Sequence, residues 1–388
     1  MTTVATNGKL HLDPAAIAAT LQPVERATML PPVAFTDPAI LDWEIENVFG
    51  GWVCLGHASV VAESGSWLMR EIGPTSVFAL GGADGTPRVF LNACRHRGSV
   101  LVTETEGKVR RRVQCPYHAW SYDLDGSLVA APHMDGVEDF DRACNGLIEV
   151  RSAVAGGLLL ADLSGAAPDP LEHVGELASR LEHWRVAGLE RARGTSYDVA
   201  ANWKAVAENY NECLHCPGVH PELNALSDYR SGESQHGAGT WCGGSMTLNE
   251  GAETMGTGDG HAGHRPAIAG LDAKEINSVY YFSLFPNALV SLHPDYVMLH
   301  TLWPRAVDRT EVTCEWFFEP ETIARPDFDP SDAADFWDMV NRQDWRVCEL
   351  TQKGVRAKGY VAGRYSADEG DVHRFDSLVA ERYLEALS

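Results

Sequence analysis

The sequence predicts an α+β protein in which an antiparallel β module precedes a larger unit of sheet and helices. From Gly51 to Val154, short β-type runs (WVCLGHASVV, SVFALGG, RVFLNAC) alternate with Gly, Asp and Asn turns, the spacing of an antiparallel all-β module. Six more runs, at 195–203, 240–248, 278–285, 288–293, 296–304 and 310–319, imply a second antiparallel sheet. Helical periodicity at 203–216 and 332–358 supplies a layer to cover it, because a sheet with an apolar face must bury that face against another element.

The remaining elements follow in chain order. AAIAATL at helical period, a turn at Pro31-Pro32 and a helix from Pro38 to Val48 read as an N-terminal cap. Leu171, Val174, Leu177, Leu181 and Trp184 share one stripe and predict a helix over 170–192. The stretch NEGAETMGTGDGHAGHR, 249–265, is rich in Gly and small polar residues, buries little and reads as a lid; His261 and His264 within it are taken as solvent-exposed and not as ligands. The expected domains are a cap over 1–45, a β domain over 46–160 and a third domain over 161–388.

A chain of 388 residues has room for two domains and a large core. No apolar run approaches the ~18 residues of a membrane span, and nothing at the N-terminus resembles an export signal, so a cytoplasmic location is expected. The net charge of −23, from 31 basic and 54 acidic residues, repels phosphate backbones and argues against nucleic acid as a partner. Nine cysteines in such a compartment imply thiols and metal ligands in place of disulfides. Cys213-Leu-His-Cys216 is formally a C-x-x-C, but its surroundings argue against a redox dithiol.

Cys94-Arg-His96 and Cys115-Pro-Tyr-His118 each offer one thiolate and one imidazole from a short loop. Two Cys on one iron and two His on the other are what a Rieske [2Fe–2S] centre needs. Closed tetrahedral zinc uses the same four residue types, although it usually takes paired Cys from one turn and paired His from another. The run Lys108-Val-Arg110-Arg111-Arg112 beside these loops reads either as a solvated hairpin or as a docking patch for an acidic redox partner.

A second cluster lies downstream. Glu208, Glu212 and His215 fall at i, i+4 and i+7, on one face of a helix. His215 and His220 would splay by about 140° on an unbroken helix, but Pro217-Gly218 between them breaks it and lets His220 fold back. Both a two-His metal site and a pair of His packed at a helix end are compatible with this pattern. On the 332–358 helix, Asp344 interrupts a stripe of Trp337, Val340, Val347 and Thr351, and a carboxylate there is costly unless paired or metal-bound. That favours Asp344 over Asp335 or Asp338 as a third ligand, completing the two-His, one-carboxylate set of non-haem iron(II) oxygenases.

CRHRGS, CPYHAWSYDLDG and His-x4-His after ENYNE resemble the Rieske non-haem iron oxygenases, oxygenase (α) subunit. The resemblance implies a helix-grip, START-like catalytic sheet wrapped around a C-terminal helix. It also implies Cys94, His96, Cys115 and His118 on the cluster, with His215, His220 and Asp344 on a mononuclear iron(II). Glu212 is implied as the acid linking an iron-ligand His to a cluster-ligand His of a neighbouring subunit, in a homotrimer. O2 is the implied co-substrate, with NAD(P)H electrons delivered through a separate ferredoxin or flavin reductase; no G-x-G-x-x-G follows a strand in this chain. Three departures stand out: the gap between cluster loops is about one residue longer, predicting an extended hairpin turn around Gly107 within 103–114; Leu214 replaces a Tyr; and Gln343 replaces a Glu before Asp344.

ENYNECLHCPGVHPEL is most similar to the branch that oxidises N-methyl groups of betaine-like compounds, with aromatic-ring hydroxylation or O-demethylation as the alternative reading. Trp241, Tyr280, Tyr281, Phe282, Phe285, Met298 and Trp303 are candidate pocket residues, of which strand alternation turns only some inward. A Rieske electron carrier or sensor without catalysis is the reading from a different class, and it differs by lacking the mononuclear iron.

Overall fold

The computed structural model describes residues 10–257 and 265–388, so His261 and His264 lie outside the described residues. The first β domain contains β1 (Trp52–His57), β2 (Ser66–Ile72), β3 (Thr75–Gly81), β4 (Pro87–Leu91), β5 (Glu106–Lys108), β6 (Arg112–Gln114), β7 (Ser121–Asp123), β8 (Leu128–Ala130), β9 (Glu149–Ala155) and β10 (Leu158–Asp162). They form a sheet of order β1-β10-β9-β4-β3-β2-β5 and a small sheet β6-β7-β8, every pair antiparallel. Alternation divides the large sheet: Trp67, Met69, Phe78 and Leu80 face the cluster loops, while Leu68, Val77 and Ala79 face the main core.

The second sheet contains β11 (Glu190–Val199), β12 (Glu233–Ser234), β13 (Trp241–Thr247), β14 (Ser278–Leu284), β15 (Ala288–Leu292), β16 (Val297–Ala306) and β17 (Arg309–Phe318), in the order β11-β17-β16-β15-β14-β13-β12. The helices are α1 (Pro14–Thr20), α2 (Pro38–Asn47), α3 (Pro170–Val174), α4 (Leu177–His183), α5 (Trp203–Tyr210), α6 (Cys216–Val219), α7 (Pro221–Leu226), α8 (Ala273–Ile276), α9 (Pro320–Ile323), α10 (Ser331–Val355) and α11 (Gly370–Leu387). One face of the sheet packs on α10 through Phe336, Trp337 and Val340, and the opposite face on α3 and α4 through Val174, Leu177, Leu181 and Trp184. The architecture is therefore α+β, with the second sheet packed against the long helix α10 near the C-terminus. Among the described residues no helix is long and apolar enough to cross a membrane.

Several expectations need correction. No hairpin turns at Gly107: β5 and β6 belong to different sheets, and Gly107 pairs with Trp67, whose ring a Cβ would meet at 2.3 Å. The expected 170–192 helix breaks at Gly175, which adopts φ +56°, and stops at His183, so β11 starts at Glu190. The expected 203–216 helix ends at Tyr210, which removes Glu208, Glu212 and His215 from a common helix face. Cys213 and Cys216 form a disulfide around the ligand loop, against the expectation of thiols throughout. The start of the supposed lid packs inward, with Thr254 and Met255 fully buried. The α10 stripe drifts onto Asn341, Cys348 and Gln352, while Thr351 is exposed.

Those buried amides have a purpose in the packing. Gln352 Oε1 accepts from the Asn202 N–H at 2.8 Å, and its Nε2 donates to the Phe35 carbonyl at 3.0 Å. Asn202 in turn caps α5, accepting from the Lys204 N–H at 3.1 Å. The start of α5 is thereby fixed to α10, and the segment following α5 and α10 itself carry the site.

Candidate metal centres and their cavity

Both cluster loops have the same backbone. The Gly98 N–H donates to the Cys94 carbonyl at 2.9 Å and the Cys94 N–H to Ser99 at 2.8 Å; Ala119 donates to Cys115 at 3.1 Å and Cys115 to Trp120 at 2.8 Å. Each turn needs a residue of positive φ four after its Cys, supplied by Gly98 at +71° and Ala119 at +57°. Cys94 and Cys115 are buried, with their thiols in hydrogen-bonding reach of each other. The His96 and His118 rings lie 4.6 Å apart between centroids, and His96 stacks on Trp120 at 4.9 Å. His96 is exposed. Two sulfurs inward and two imidazoles outward are the donor set a Rieske cluster requires. The hydroxyl of Tyr122 accepts from the Arg95 N–H at 3.0 Å, which leaves its proton for Cys94 Sγ at 3.2 Å.

His215, His220 and Asp344 converge as the sequence predicts, their ligand atoms all within 4.8 Å of one another. The means differs from the expected one. Pro217 does not break a helix; it opens α6 as a first-turn residue, and the break precedes it at Asn211–His215. His220 then sits at the junction of α6 and α7, its ring 5.1 Å from that of His215.

The outer nitrogens fix both rings. His215 Nδ1 donates to Glu212 Oε1 at 2.5 Å, and His220 Nδ1 donates to Gln343 Oε1 at 2.7 Å. Because those oxygens only accept, each Nδ1 carries a proton, and each Nε2 faces Asp344: protonated, it donates to that carboxylate, and on losing the proton it offers its lone pair to a cation at the same point. The Nε2 atoms lie 3.2 Å and 2.7 Å from Asp344 Oδ1. Burial alone would pull His215 down, but Asp344 and Glu212 outweigh it and bring its pKa up to about 9. Burial likewise pushes Asp344 up, and the bonds from both imidazoles bring it below the usual carboxylate range. A cluster that attracts protons this strongly, with two Nε2 atoms and a carboxylate aimed at one point, fits a divalent cation.

The other candidates are placed elsewhere. Asp338 is engaged by Tyr197 at 2.9 Å and Arg342 at 2.8 Å, and Asp335 is exposed. Glu208, partly buried, faces the fully buried Asp376 of α11, with its pKa raised by desolvation and by that neighbour. Gln343, read from the sequence only as a departure, turns out to orient His220; its position beside the ligand Asp344 was the available signal.

Beside the three donors opens a cavity of about 530 Å³. Of the seven aromatic and Met candidates only Tyr281 lines it, because alternation on β14 turns Tyr280 and Phe282 to the opposite face. Tyr210, Tyr229 and Trp337 complete its aromatic wall, and Glu233, Asp368 and Asp371 outnumber Arg230 among its charged residues beyond the donor cluster.

Comparison with known proteins agrees with both halves of this picture. Residues 51–141 match the Rieske [2Fe-2S] domain, and residues 186–385 match the ring hydroxylating alpha subunit (catalytic domain). The glycine betaine monooxygenase oxygenase subunit of Chromohalobacter salexigens is 30% identical over 87% of this chain and 81% of its own length. That of Pseudomonas aeruginosa is 29% identical over 97% and 94%. Among solved structures, a quaternary ammonium Rieske monooxygenase in complex with L-carnitine superimposes with TM-score 0.79 at 22% identity, covering 96% of this chain and 99% of that one. Naphthalene 1,2-dioxygenase from Rhodococcus sp. gives 0.75 at 21%, covering 96% and 98%. With a Rieske cluster domain and a mononuclear iron site in one polypeptide, this chain belongs to the ring-hydroxylating α-subunit family and is a Rieske-type non-haem iron oxygenase.

Proposed function

We propose that the chain is the oxygenase component of a multicomponent monooxygenase that oxidises an N-methyl group of a small, betaine-like quaternary ammonium compound, releasing formaldehyde. The observation that carries this reading is the cavity wall: Tyr210, Tyr229, Tyr281 and Trp337 with an excess of carboxylates, a lining that suits a soft cation. The similarity to glycine betaine monooxygenase subunits over nearly the whole chain supports it.

Cys94, His96, Cys115 and His118 are the proposed cluster ligands, and His215, His220 and Asp344 the proposed iron ligands. When bound, the cluster supplies electrons one at a time and the iron supplies activation of dioxygen. Glu212 and Gln343 hold the two imidazoles in the tautomer that binds, and the aromatic wall keeps water from the methyl group. Glu212 is also the proposed electron bridge between subunits of a homotrimer. Electrons come from NAD(P)H through a reductase in the cytoplasm; exposed Arg110, Arg111 and Arg112, beside the Cys115 loop, are proposed to receive an acidic ferredoxin-like domain.

The test combines iron analysis with substrate-dependent NADH consumption and formaldehyde release, using quaternary amines and aromatic acids. Expected are three irons per chain and formaldehyde matching NADH for a quaternary amine. Oxidation of aromatic acids alone would favour ring hydroxylation or O-demethylation, and two irons without turnover would indicate an electron carrier.

Tyr122 offers a separate check on the cluster ligands. A hydroxyl donating to Cys94 Sγ favours the more electron-rich reduced cluster. Tyr122→Phe is expected to lower the reduction potential by roughly 60 mV, the equivalent of a tenfold preference of that bond for the reduced form. A redox titration followed by EPR measures it.

A further inference from the structure

Behind the cavity wall lies a histidine with nothing to bind. His293, in the turn between β15 and β16, is 0% exposed. Its backbone is tied on both sides: the N–H donates to the Tyr296 carbonyl at 2.9 Å, and the carbonyl accepts from Trp184 Nε1 at 3.3 Å. Its ring is held too, stacked on Tyr296 at 4.1 Å between centroids and set edge-on to Trp337 at 5.4 Å and Tyr281 at 6.4 Å. Yet among the described residues neither ring nitrogen has a hydrogen-bond partner.

The neighbouring Tyr281 hydroxyl is buried and equally unpartnered among the described residues. Tyr296 cannot serve either group, since its hydroxyl donates to the Met255 carbonyl at 2.7 Å and accepts from Trp337 Nε1 at 2.7 Å. Arg265 is committed to Asp295 and Asp332. Leaving a buried polar group without a partner is costly, so two side by side, in a framework that fixes the imidazole ring, point to a place kept for an incoming group.

We infer that His293 and the Tyr281 hydroxyl form a polar subsite at the inner end of the catalytic cavity, which receives the oxygen-bearing tail of the quaternary ammonium substrate. This rests on the substrate class proposed above and goes beyond it by assigning the tail. Burial and the Arg265 charge keep the free imidazole neutral, so it presents one N–H and one lone pair. With the tyrosine O–H, two donors face a carboxylate or hydroxyl oxygen, and the lone pair accepts a hydroxyl proton.

The position suits the role. Tyr281 and Trp337 line the same cavity as His215, His220 and Asp344, and His293 lies behind these two rings, closed off from the cavity in this structure, so a tail reaches it by displacing one of them. Trp337 and Asp344 are seven residues apart on α10, about 10 Å of helical rise. A short-chain quaternary ammonium compound lying along this stretch of the cavity turns a methyl group toward the three converging donors and its oxygen toward His293.

Steady-state kinetics of the reconstituted holoenzyme with glycine betaine, choline and tetramethylammonium test the assignment, comparing wild type with Tyr281→Phe and His293→Phe. Each substitution is expected to lower kcat/KM for the oxygen-bearing compounds relative to tetramethylammonium by about tenfold, mainly through KM. A loss confined to glycine betaine identifies a carboxylate tail, and one confined to choline a hydroxyl. A ratio within twofold of wild type in Tyr281→Phe, which removes a single oxygen and does not disturb packing, overturns the subsite even if His293→Phe misfolds. Should wild type oxidise none of the three, the proposed function falls by itself; equilibrium binding of the same compounds to wild type and Tyr281→Phe then decides the subsite by the same ratio.

Discussion

Glu212→Gln is expected to retain both metals and to lose coupled turnover by 10- to 100-fold or more. The amide oxygen still accepts from His215 Nδ1, as the carboxylate does at 2.5 Å, so the ligand stays oriented; the negative charge that favours electron-poor imidazoles on either side is gone. Iron content and the cluster's visible spectrum should stay within error of wild type. The defect should appear when pre-reduced enzyme meets substrate and oxygen, as a slowed reoxidation of the cluster. If reoxidation keeps its normal rate, Glu212 only positions His215 and carries no electrons.

The largest loss of stability is expected from Glu44→Ala. Lys204 and Glu44 are both 0% exposed and their charges pair directly, Nζ to Oε1 at 2.5 Å. Trp203 Nε1 donates to the other carboxylate oxygen at 2.8 Å, and Tyr383 donates to the first. Removing the carboxylate strands an ammonium between the rings of Phe35 and Trp203, at a cost of about 3–5 kcal/mol. Because α2, α5 and α11 meet at this point, the denaturant midpoint of the catalytic-domain signal should fall while the isolated cluster signal is affected less. The double substitution Glu44→Leu with Lys204→Met should recover most of the loss, since replacing a buried pair by apolar side chains is often close to neutral.

The candidate metal sites were legible in the sequence to the extent that their chemistry is local. Cys94, His96, Cys115 and His118 lie within two short loops, and a carboxylate in an apolar stripe singled out Asp344. What escaped was set by distant partners. Gly107 reads as a turn until Trp67, forty residues upstream, is placed against it. Gly175 breaks a periodic helix because it adopts a positive φ and packs against the Ala238 carbonyl, where a Cβ has no room. Tyr281 and Tyr280 are neighbours of the same chemistry, and only the register of β14 tells which one faces the cavity. α11 was not read at all, although its Asp376 and Tyr383 are buried against α5 and α2 chemistry.

The outward-facing imidazoles of the cluster loops carry a consequence for how the molecule must work. With His96 on the surface and the sulfurs sealed behind it, the imidazole edge is the side on which a cluster held here would meet a partner. If, as proposed, a neighbouring subunit takes up the electron, a lone chain in dilute solution should turn over more slowly than the assembled enzyme, and activity per chain should rise with protein concentration.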